Sequence, residues 1–251
     1  MLLHIFGTCS GTEPYPGRRH CAFAFERNDR LYWFDAGEGC SYTAHIMGVD
    51  LLRLRTVVIS HPHIDHTGGL ANLLFNVRKL DSRQLARVNP EIGLYLPDMR
   101  VWEAVTALAG PRGSEVRIHE YEDGLLFDDE GFRVTALHNR HMHREDDAPW
   151  RSFGFLIECE GKRVVYSGDT KAVEDFAPLM DNCDLLLMET GHHHPPEIAR
   201  ELCDRGIFPE KLGFIHHGRD ILDRYDEQVR ALDGICPGRY EIFDDAMTLE
   251  V

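Results

Sequence analysis

The sequence contains no apolar run long enough to span a membrane. The opening Met1-Leu2-Leu3-His4-Ile5-Phe6 has neither the basic leader nor the apolar core of a signal peptide. We therefore expect a cytoplasmic protein with no membrane partner. Basic residues are also scarce, since 27 Lys and Arg stand against 42 Asp and Glu, for a formal net charge of −15. Proteins bind long nucleic acids mainly by neutralising phosphates with Lys and Arg, so this charge disfavours such partners.

The seven cysteines are scattered singly and include no CxxC pair. This spacing indicates neither a disulfide framework nor a structural zinc ribbon. The remaining composition is ordinary, because 251 residues with 43% hydrophobic and 27% charged side chains are typical of a globular enzyme. Disordered tails, fibrous repeats and coiled coils are excluded.

Short β-branched or aromatic runs alternate with helical patterns, which predicts the α/β (α+β) class. Predicted strands cover residues 2–6, 21–26, 31–35, 56–60, 92–96, 132–137, 153–158, 163–167, 184–188, 212–215 and 239–243. Apolar residues spaced three or four apart predict four helices. These helices begin within 66–69, cover 101–108, begin at 195 and lie near 224–233.

Two predicted hairpins resemble each other. The segments 23–37 and 155–169 each place an Asp within two residues of a Gly near the end of the second strand, and each precedes an apolar strand that runs into histidines. This similarity predicts a single domain, 1–251, built from two halves of about 1–130 and 131–251. The two sheets would stack face to face with helices outside, and the histidines would gather along one edge.

Histidine is the residue in excess, and the 15 histidines are clustered. The densest block follows the apolar strand 56–59 and holds four metal-capable side chains: His61, His63, Asp65 and His66. Loop curvature can aim these four side chains at two neighbouring points. Imidazole and carboxylate are the ligands expected of Zn²⁺, Mn²⁺ or Fe²⁺. The block therefore predicts a metal site.

The pattern His61-x-His63-x-Asp65-His66 resembles the signature of the metallo-β-lactamase-fold hydrolases. The segments Phe6-Gly7-Thr8, Phe34-Asp35-Ala36-Gly37-Glu38-Gly39 and Gly68-Gly69-Leu70 resemble one branch of that family. It contains ribonuclease Z and the cyclic phosphodiesterase of phosphonate degradation. The resemblance covers most of the chain and implies a four-layer αββα sandwich.

The resemblance also implies a ligand set. It places the third histidine at His141, with His138 and His143 as rivals, and the last histidine at His216, with His217 adjacent. One ion would bind His61, His63 and His141, a second would bind Asp65, His66 and His216, and Asp169 would bridge them. Zn²⁺ is the first expectation, and Mn²⁺ or Fe²⁺ are alternatives. A water between two cations ionises near neutral pH and becomes a nucleophile, which Asp65 would orient. Asp35 is expected to organise its loop.

Two further groups are candidates for the reaction. In ribonuclease Z-like enzymes a Glu pairs with a His just before the next helix, and the pair helps to protonate the leaving group. The resemblance places this pair at Glu189 and His194; His193 is an alternative, and a role for His192 is left open. Arg18, Arg19 and His20 follow a Pro-Gly loop and could contact a substrate phosphate, although such pairs are more often a solvated face.

These residues predict a dinuclear hydrolase of a small or terminal phosphodiester, because an alkoxide leaving group needs a proton donor. The alternatives are a lactone or thioester hydrolase, ribonuclease Z-like tRNA 3′ processing, and a metal-binding module without turnover. In that family tRNA processing uses a protruding basic arm, whereas the segment between His141 and Asp169 is largely a loop and a hairpin. The expected partner is a small phosphodiester or ester, and a homodimer is left open.

Overall fold

The computed structural model describes residues 1–83, 88–109, 115–142 and 148–251. Its strands are Leu2–Gly7 (β1), Ala22–Arg27 (β2), Arg30–Phe34 (β3), Leu54–Val58 (β4), Ile92–Leu96 (β5), Val116–Glu120 (β6), Gly124–Asp129 (β7), Phe132–His138 (β8), Phe153–Cys159 (β9), Lys162–Tyr166 (β10), Leu185–Thr190 (β11), Lys211–His217 (β12), Tyr240–Ile242 (β13) and Met247–Glu250 (β14). Its helices are Cys40–Ile46 (α1), Ile64–Thr67 (α2), Leu70–Asp81 (α3), Met99–Ala109 (α4), Pro195–Asp204 (α5) and Arg219–Asp233 (α6). The predicted mixed α/β class is confirmed.

The chain divides into two compact units. Unit 1 comprises Met1–Tyr121 with Asp244–Val251, and unit 2 comprises Glu122–Phe243. The prediction placed the division near residue 130 and assigned the last residues to the second half. The structure differs because β14 pairs antiparallel with β1, which returns the end of the chain to unit 1.

Each unit contains one seven-stranded sheet, and the two sheets share one strand order. Unit 1 has the order β14-β1-β2-β3-β4-β5-β6, and unit 2, read from its other edge, has β7-β8-β9-β10-β11-β12-β13. In each sheet the first four strands are antiparallel neighbours, and the fourth to seventh run parallel. Both predicted hairpins, β2–β3 and β9–β10, are formed.

The core of unit 1 lies between its sheet and helices α1, α3 and α4, and includes stacked rings of Phe6 and Trp33 with centroids 4.2 Å apart. The core of unit 2 gathers apolar residues of β11 and β12, such as Leu186 and Phe214, with those of α5 and α6. The opposite face of sheet 1 is also buried, as the contact of Phe23 with Phe34 illustrates. Buried parallel strands explain the apolar runs in the sequence.

Five elements were not anticipated from the sequence: α1, α2, β6, β7 and β14. The strands β6 and β7 contain no buried residue, and their apolar side chains, two in β6 and three in β7, are too few to predict a strand. Within the described residues, no helix is both long and apolar enough to cross a membrane.

Candidate metal centre

In unit 1, the histidine-rich block leaves the carboxyl end of β4 and leads into α2. His61, Asp65 and His66 are buried, whereas His63 at the start of α2 is exposed. The ring nitrogens His61 Nε2 and His63 Nδ1 lie 3.0 Å apart, and His66 Nε2 lies 3.4 Å from Asp65 Oδ2. The loop therefore brings the four predicted ligands of this unit into two adjacent pairs.

Asp35 orients two of these histidines. This fully buried carboxylate accepts hydrogen bonds from Ser60 N at 2.7 Å, Ser60 Oγ at 2.8 Å and His66 Nδ1 at 2.8 Å. Since Ser60 Oγ gives its only proton to Asp35, it accepts from His61 Nδ1, 3.0 Å away. Both His61 and His66 thus keep the Nε2 lone pair for a ligand. Asp35 lies near Cys21 and His66 in a buried group, and its bonds give it the expected organising role.

In unit 2, Asp169 lies between two histidines. Its Oδ1 atom is 3.3 Å from His216 Nε2, and its Oδ2 atom is 3.7 Å from His141 Nε2. Gly168 has a φ of +56°, and a Cβ there would lie 2.3 Å from the Phe153 carbonyl oxygen. Only glycine fits this turn, which places Asp169 at the end of β10.

His216 is directed by a β-bulge. In the pairing of β11 with β12, Glu189 is opposite Ile215 and Thr190 is opposite His217, so His216 is the extra residue. Its φ of +56° is unusual for a side chain other than glycine. Bulges of this kind re-aim a side chain beside functional sites. The apolar run that predicted β12 carried no signal of the bulge.

Two of the rival histidines, His217 and His138, have other partners in the structure. His217 has Nε2 2.8 Å from the Phe243 carbonyl oxygen and Nδ1 3.0 Å from Thr190 Oγ1, so both ring nitrogens have partners within the sheet. His138 pairs with Asp123 through Nδ1 at 2.6 Å and stacks on Trp150. His143 lies outside the described residues. His141 and His216 are therefore the ligand candidates of unit 2.

The predicted pairing of Glu189 with His194 is not formed. His194 Nδ1 instead contacts Asp220 at the start of α6. Glu189 pairs with His192, whose Nδ1 lies 3.0 Å from Oε1 and whose backbone N–H donates to Oε2 at 2.9 Å. The short loop before Pro195 causes the change, because it turns His192 back over β11 and leaves His194 at the cap of α5. His193 donates to the Thr170 carbonyl oxygen.

The Glu189 and His192 pair is electrostatically well defined. Burial tends to raise the pKa of Glu189, but the hydrogen bond from His192 and the His216 ring, whose Nδ1 lies 3.6 Å from Oε2, outweigh it and lower the pKa to about 2. The hydrogen bond to Glu189 raises the pKa of His192 above its ordinary value. His192 Nδ1 also lies 3.9 Å from Asp169 Oδ2. Sequence reasoning selected the wrong member of the His192–His194 run as the partner of Glu189, because helix position favoured the residue next to Pro195.

The basic loop of unit 1 is only partly available to a ligand. Arg18 is bound to Asp244 and donates to Thr8 Oγ1 at 2.8 Å. Asp245 accepts from the backbone N–H of Arg19 at 2.5 Å and from Thr8, so the loop is held to the end of the chain. The predicted contact of Arg18 with a phosphate therefore competes with an internal ion pair, whereas Arg19 is exposed and His20 half-buried.

The donor atoms of each unit fit a divalent ion. Two ligands of one tetrahedral Zn²⁺, with bonds of 2.0–2.1 Å, lie about 3.3 Å apart. The separations of 3.0 Å between His61 and His63 and of 3.3 Å between His216 and Asp169 are close to this value. Among the described residues of unit 2, His141, Asp169 and His192 form one potential metal-binding group, and Glu189, His192 and His216 form another.

Comparisons with known proteins show the family of this chain. The family model of the beta-lactamase superfamily domain matches residues 33–240. Ribonuclease Z from Archaeoglobus fulgidus is 23% identical over an alignment that covers 100% of this chain and 98% of that protein. Ribonuclease Z from Listeria monocytogenes is 31% identical over 70% of this chain, but the match covers only 54% of that protein.

Solved structures show the same fold. The metallo-beta-lactamase fold protein YhfI from Bacillus subtilis has a TM-score of 0.77 at 18% identity, with 99% of both chains covered. Human tRNase Z, short form, has a TM-score of 0.73 at 20% identity, with 100% of this chain and 99% of that chain covered. A diphosphatase of the PhnP family has a TM-score of 0.70 at 15% identity, with 100% and 97% covered.

The chain therefore belongs to the beta-lactamase superfamily and has the metallo-β-lactamase fold. It is a hydrolase of that fold, with a histidine and aspartate cluster able to bind metal. The predicted family and the predicted enzyme class are confirmed.

Proposed function

We propose that this hydrolase is a phosphodiesterase that binds two divalent ions and acts on a small or terminal phosphodiester. The observation that carries the proposal is the pair formed by Glu189 and His192, with His192 Nδ1 3.9 Å from Asp169. A phosphodiester with an alkoxide leaving group needs a proton donor more than a thioester or an activated ester does, because thiolate and phenolate are better leaving groups. A carboxylate that orients an imidazole beside the ligands supplies one.

The proposed ligands are the residues that the family resemblance implies. The metal site would use His61, His63, Asp65, His66, His141, Asp169 and His216 in the distribution that the family resemblance implies. Zn²⁺ is the first candidate because it binds histidine and carboxylate ligands, and Mn²⁺ and Fe²⁺ bind such ligands also. Two such ions would acidify a water molecule and neutralise charge on the phosphoryl oxygens.

The chain's own residues supply the remaining steps. Asp65 would accept a hydrogen bond from the attacking water and so orient it. His192 would hold a proton on the ring nitrogen that does not face Glu189 and deliver it to the leaving oxygen. Its side chain is 45% exposed, so that nitrogen can be reached by a substrate. Glu189 is fully buried and fixes the imidazole through Nδ1.

Substrate contacts remain a separate proposal. Arg19 and His20 are the members of the basic loop that could contact a phosphate, since Arg18 is already bound to Asp244. The net charge of −15 favours a small substrate, because no excess of Lys and Arg is present to neutralise a phosphate backbone.

Ribonuclease Z-like processing of tRNA is the second candidate function. Similarity to the Archaeoglobus fulgidus enzyme along its whole length favours it. The segment between His141 and Asp169 argues against it, because the described part of that segment contains only the β9–β10 hairpin and short loops. Lactone or thioester hydrolysis and metal binding without turnover are outcomes that the experiment must separate.

The test combines metal analysis with three substrates. We expect two ions per chain, and a higher rate on bis(p-nitrophenyl) phosphate than on an activated lactone or on a precursor tRNA with a 3′ trailer. Dominant lactone turnover would contradict the proposal in favour of acyl chemistry, and efficient tRNA cleavage would favour the second candidate. Full metal loading without turnover of any substrate would leave a metal-binding module.

The proton donor is tested by replacing His192 and His194 separately with Asn. His192→Asn should lower turnover of an alkyl phosphodiester by roughly 10²–10⁴-fold, with a much smaller effect when p-nitrophenolate leaves. His194→Asn is the matched control, because its partner is Asp220. Equal losses on both substrates in His192→Asn, or the larger loss in His194→Asn, would contradict the assignment. Unchanged metal content in His192→Asn would show that this residue is not a required ligand.

A further inference from the structure

Asp175 has no place in the ligand set, yet its surroundings connect two ligands. It ends a short 3₁₀ turn, Val173–Asp175, and is 8% exposed. Its Oδ2 atom accepts hydrogen bonds from Thr170 Oγ1 at 2.9 Å and from Lys171 N at 3.0 Å. The backbone N–H and the Nε of Arg140 also donate to its carboxylate, at 3.4 and 2.5 Å. One side chain therefore accepts four bonds from two loops.

Both loops carry a candidate ligand next to the residue that Asp175 holds. Thr170 directly follows Asp169, and Arg140 directly precedes His141. Neither Thr170 nor Arg140 lies within a strand, so the hydrogen bonds of a sheet do not fix these two residues. The carboxylate of Asp175 thus connects the backbone beside Asp169 to the backbone beside His141.

Asn139 adds a second connection between the same loops. Its Oδ1 atom accepts from the backbone N–H of His141 at 3.1 Å, and its Nδ2 atom lies 3.4 Å from the Ser167 carbonyl oxygen. The side chain is buried and cannot be displaced by solvent without breaking these bonds. The loop of His141 is therefore connected to the residues on both sides of Asp169, to Ser167 through Asn139 and to Thr170 through Asp175.

We propose that Asp175 is a positioning residue, which sets the separation of His141 from Asp169 through Arg140 and Thr170 and so makes the two side chains ready to bind metal. The inference rests on the proposed function in taking both residues as ligands. Groups that hold ligands in place typically change metal affinity by 10–100-fold when they are replaced. An Asn at this position would turn an N–H₂ donor toward a donor of Thr170, Lys171 or Arg140, so it cannot reproduce all four bonds.

The ionised form of Asp175 is the one that the structure favours. Burial tends to raise the pKa of this carboxyl, but the Arg140 guanidinium, the Lys171 N–H and the Thr170 hydroxyl outweigh burial and lower it. At neutral pH the ionised carboxylate therefore accepts hydrogen bonds and donates none, as its four donors require.

The experiment measures zinc binding to the metal-free full chain by competition with a chromophoric chelator, and the visible spectrum of the Co²⁺ form. Asp175→Asn should weaken binding by roughly 10–100-fold and change the Co²⁺ spectrum, because the two ligands are no longer held at their separation. The matched control is Asp184→Asn. Asp184 also accepts from a backbone N–H, that of Arg163 at 2.8 Å, and from a cation, Lys162, but it touches no loop that carries a ligand.

Parent-like affinity and spectrum in Asp175→Asn would overturn the inference, as would equal weakening in Asp184→Asn. If Asp175→Asn does not fold, Arg140→Gln decides, because the Arg140 side chain is 54% exposed and its loss should be tolerated. Weaker zinc binding in Arg140→Gln supports the inference, and parent-like binding overturns it. A parent chain that binds no metal would overturn the proposed function and this inference together. If the parent binds two ions and Asp175→Asn binds them equally well, only the inference about Asp175 is overturned.

Discussion

Asp35 orients the rings of two histidines from a fully buried position. Its carboxylate fixes Ser60 and His66, and through Ser60 it fixes His61. Asp169 follows β10 in unit 2 much as Asp35 follows β3 in unit 1, but Asp169 contacts the histidines as a candidate ligand. Two aspartates at similar points of two similar sheets therefore have different tasks.

Replacing Asp35 with Asn should expose this dependence. The amide would face donors of Ser60 or His66, so we expect the free energy of unfolding to fall by about 1–3 kcal/mol. Zinc affinity should fall by roughly 10–100-fold, because His66 loses its orienting acceptor. Urea unfolding and zinc competition measure the two effects.

Asp50→Asn is the control for Asp35→Asn. Asp50 accepts from Leu52 N at 3.0 Å at the start of a 3₁₀ turn, and Asn serves equally well at such a cap. Unchanged zinc affinity in Asp35→Asn would show that the ring orientations do not depend on Asp35.

Single residues were predictable from the sequence where a short motif contains them. The spacing of His61, His63, Asp65 and His66 predicted that these side chains lie close together, because one loop carries all four. The partner of Glu189 was not predictable from the sequence, because the conformation of a three-residue loop decides between His192 and His194. Asp175 gave no signal, because its role arises from two loops that are distant in sequence.

At the scale of elements, β14 closes the edge of the unit 1 sheet. Residues 247–250 pair with β1, and Asp245 binds Thr8 and the backbone of Arg19. The strand was missed in the sequence because four residues are too few to show an alternating pattern, whereas the apolar runs of β4, β10 and β11 were long enough.

Deleting residues 244–251 should destabilise the protein and expose β1 as an edge. Each backbone hydrogen bond is worth about 0.5–1.5 kcal/mol net, so the free energy of unfolding should fall by several kcal/mol. Free edge strands also promote association, which light scattering would detect. Deletion of Val251 alone is the control. Equal stability of the long deletion and the parent would show that β14 contributes little.

At the scale of the whole molecule, the proposed metal site should stabilise the folded chain, because metal binds the folded ligands better than the unfolded ones. Removing the ions with a chelator should lower the melting temperature. Adding Zn²⁺ at 100 times its dissociation constant should restore about 2.7 kcal/mol. Calorimetry with and without chelator makes the measurement.

The control for the chelator experiment is a chain with Asp169→Ala and His216→Ala, which should melt at the same temperature with and without Zn²⁺. Identical melting of the parent in both conditions would contradict the proposed metal site.

Charge composition alone predicted an acidic, enzyme-sized chain, but it could not indicate that the end of the chain returns to the first sheet.

The ends of the chain are bonded to each other. Met1 and Val251 exchange backbone hydrogen bonds of 3.2 and 3.0 Å. A short linker could therefore join them, and the chain could be opened between Tyr121 and Glu122, where the units divide. This circular permutant would begin with residues 122–243, continue with 244–251, and pass through the linker to 1–121. Each unit would then occupy an uninterrupted segment. The ribosome would then complete unit 2 first, with the strand order of both sheets retained.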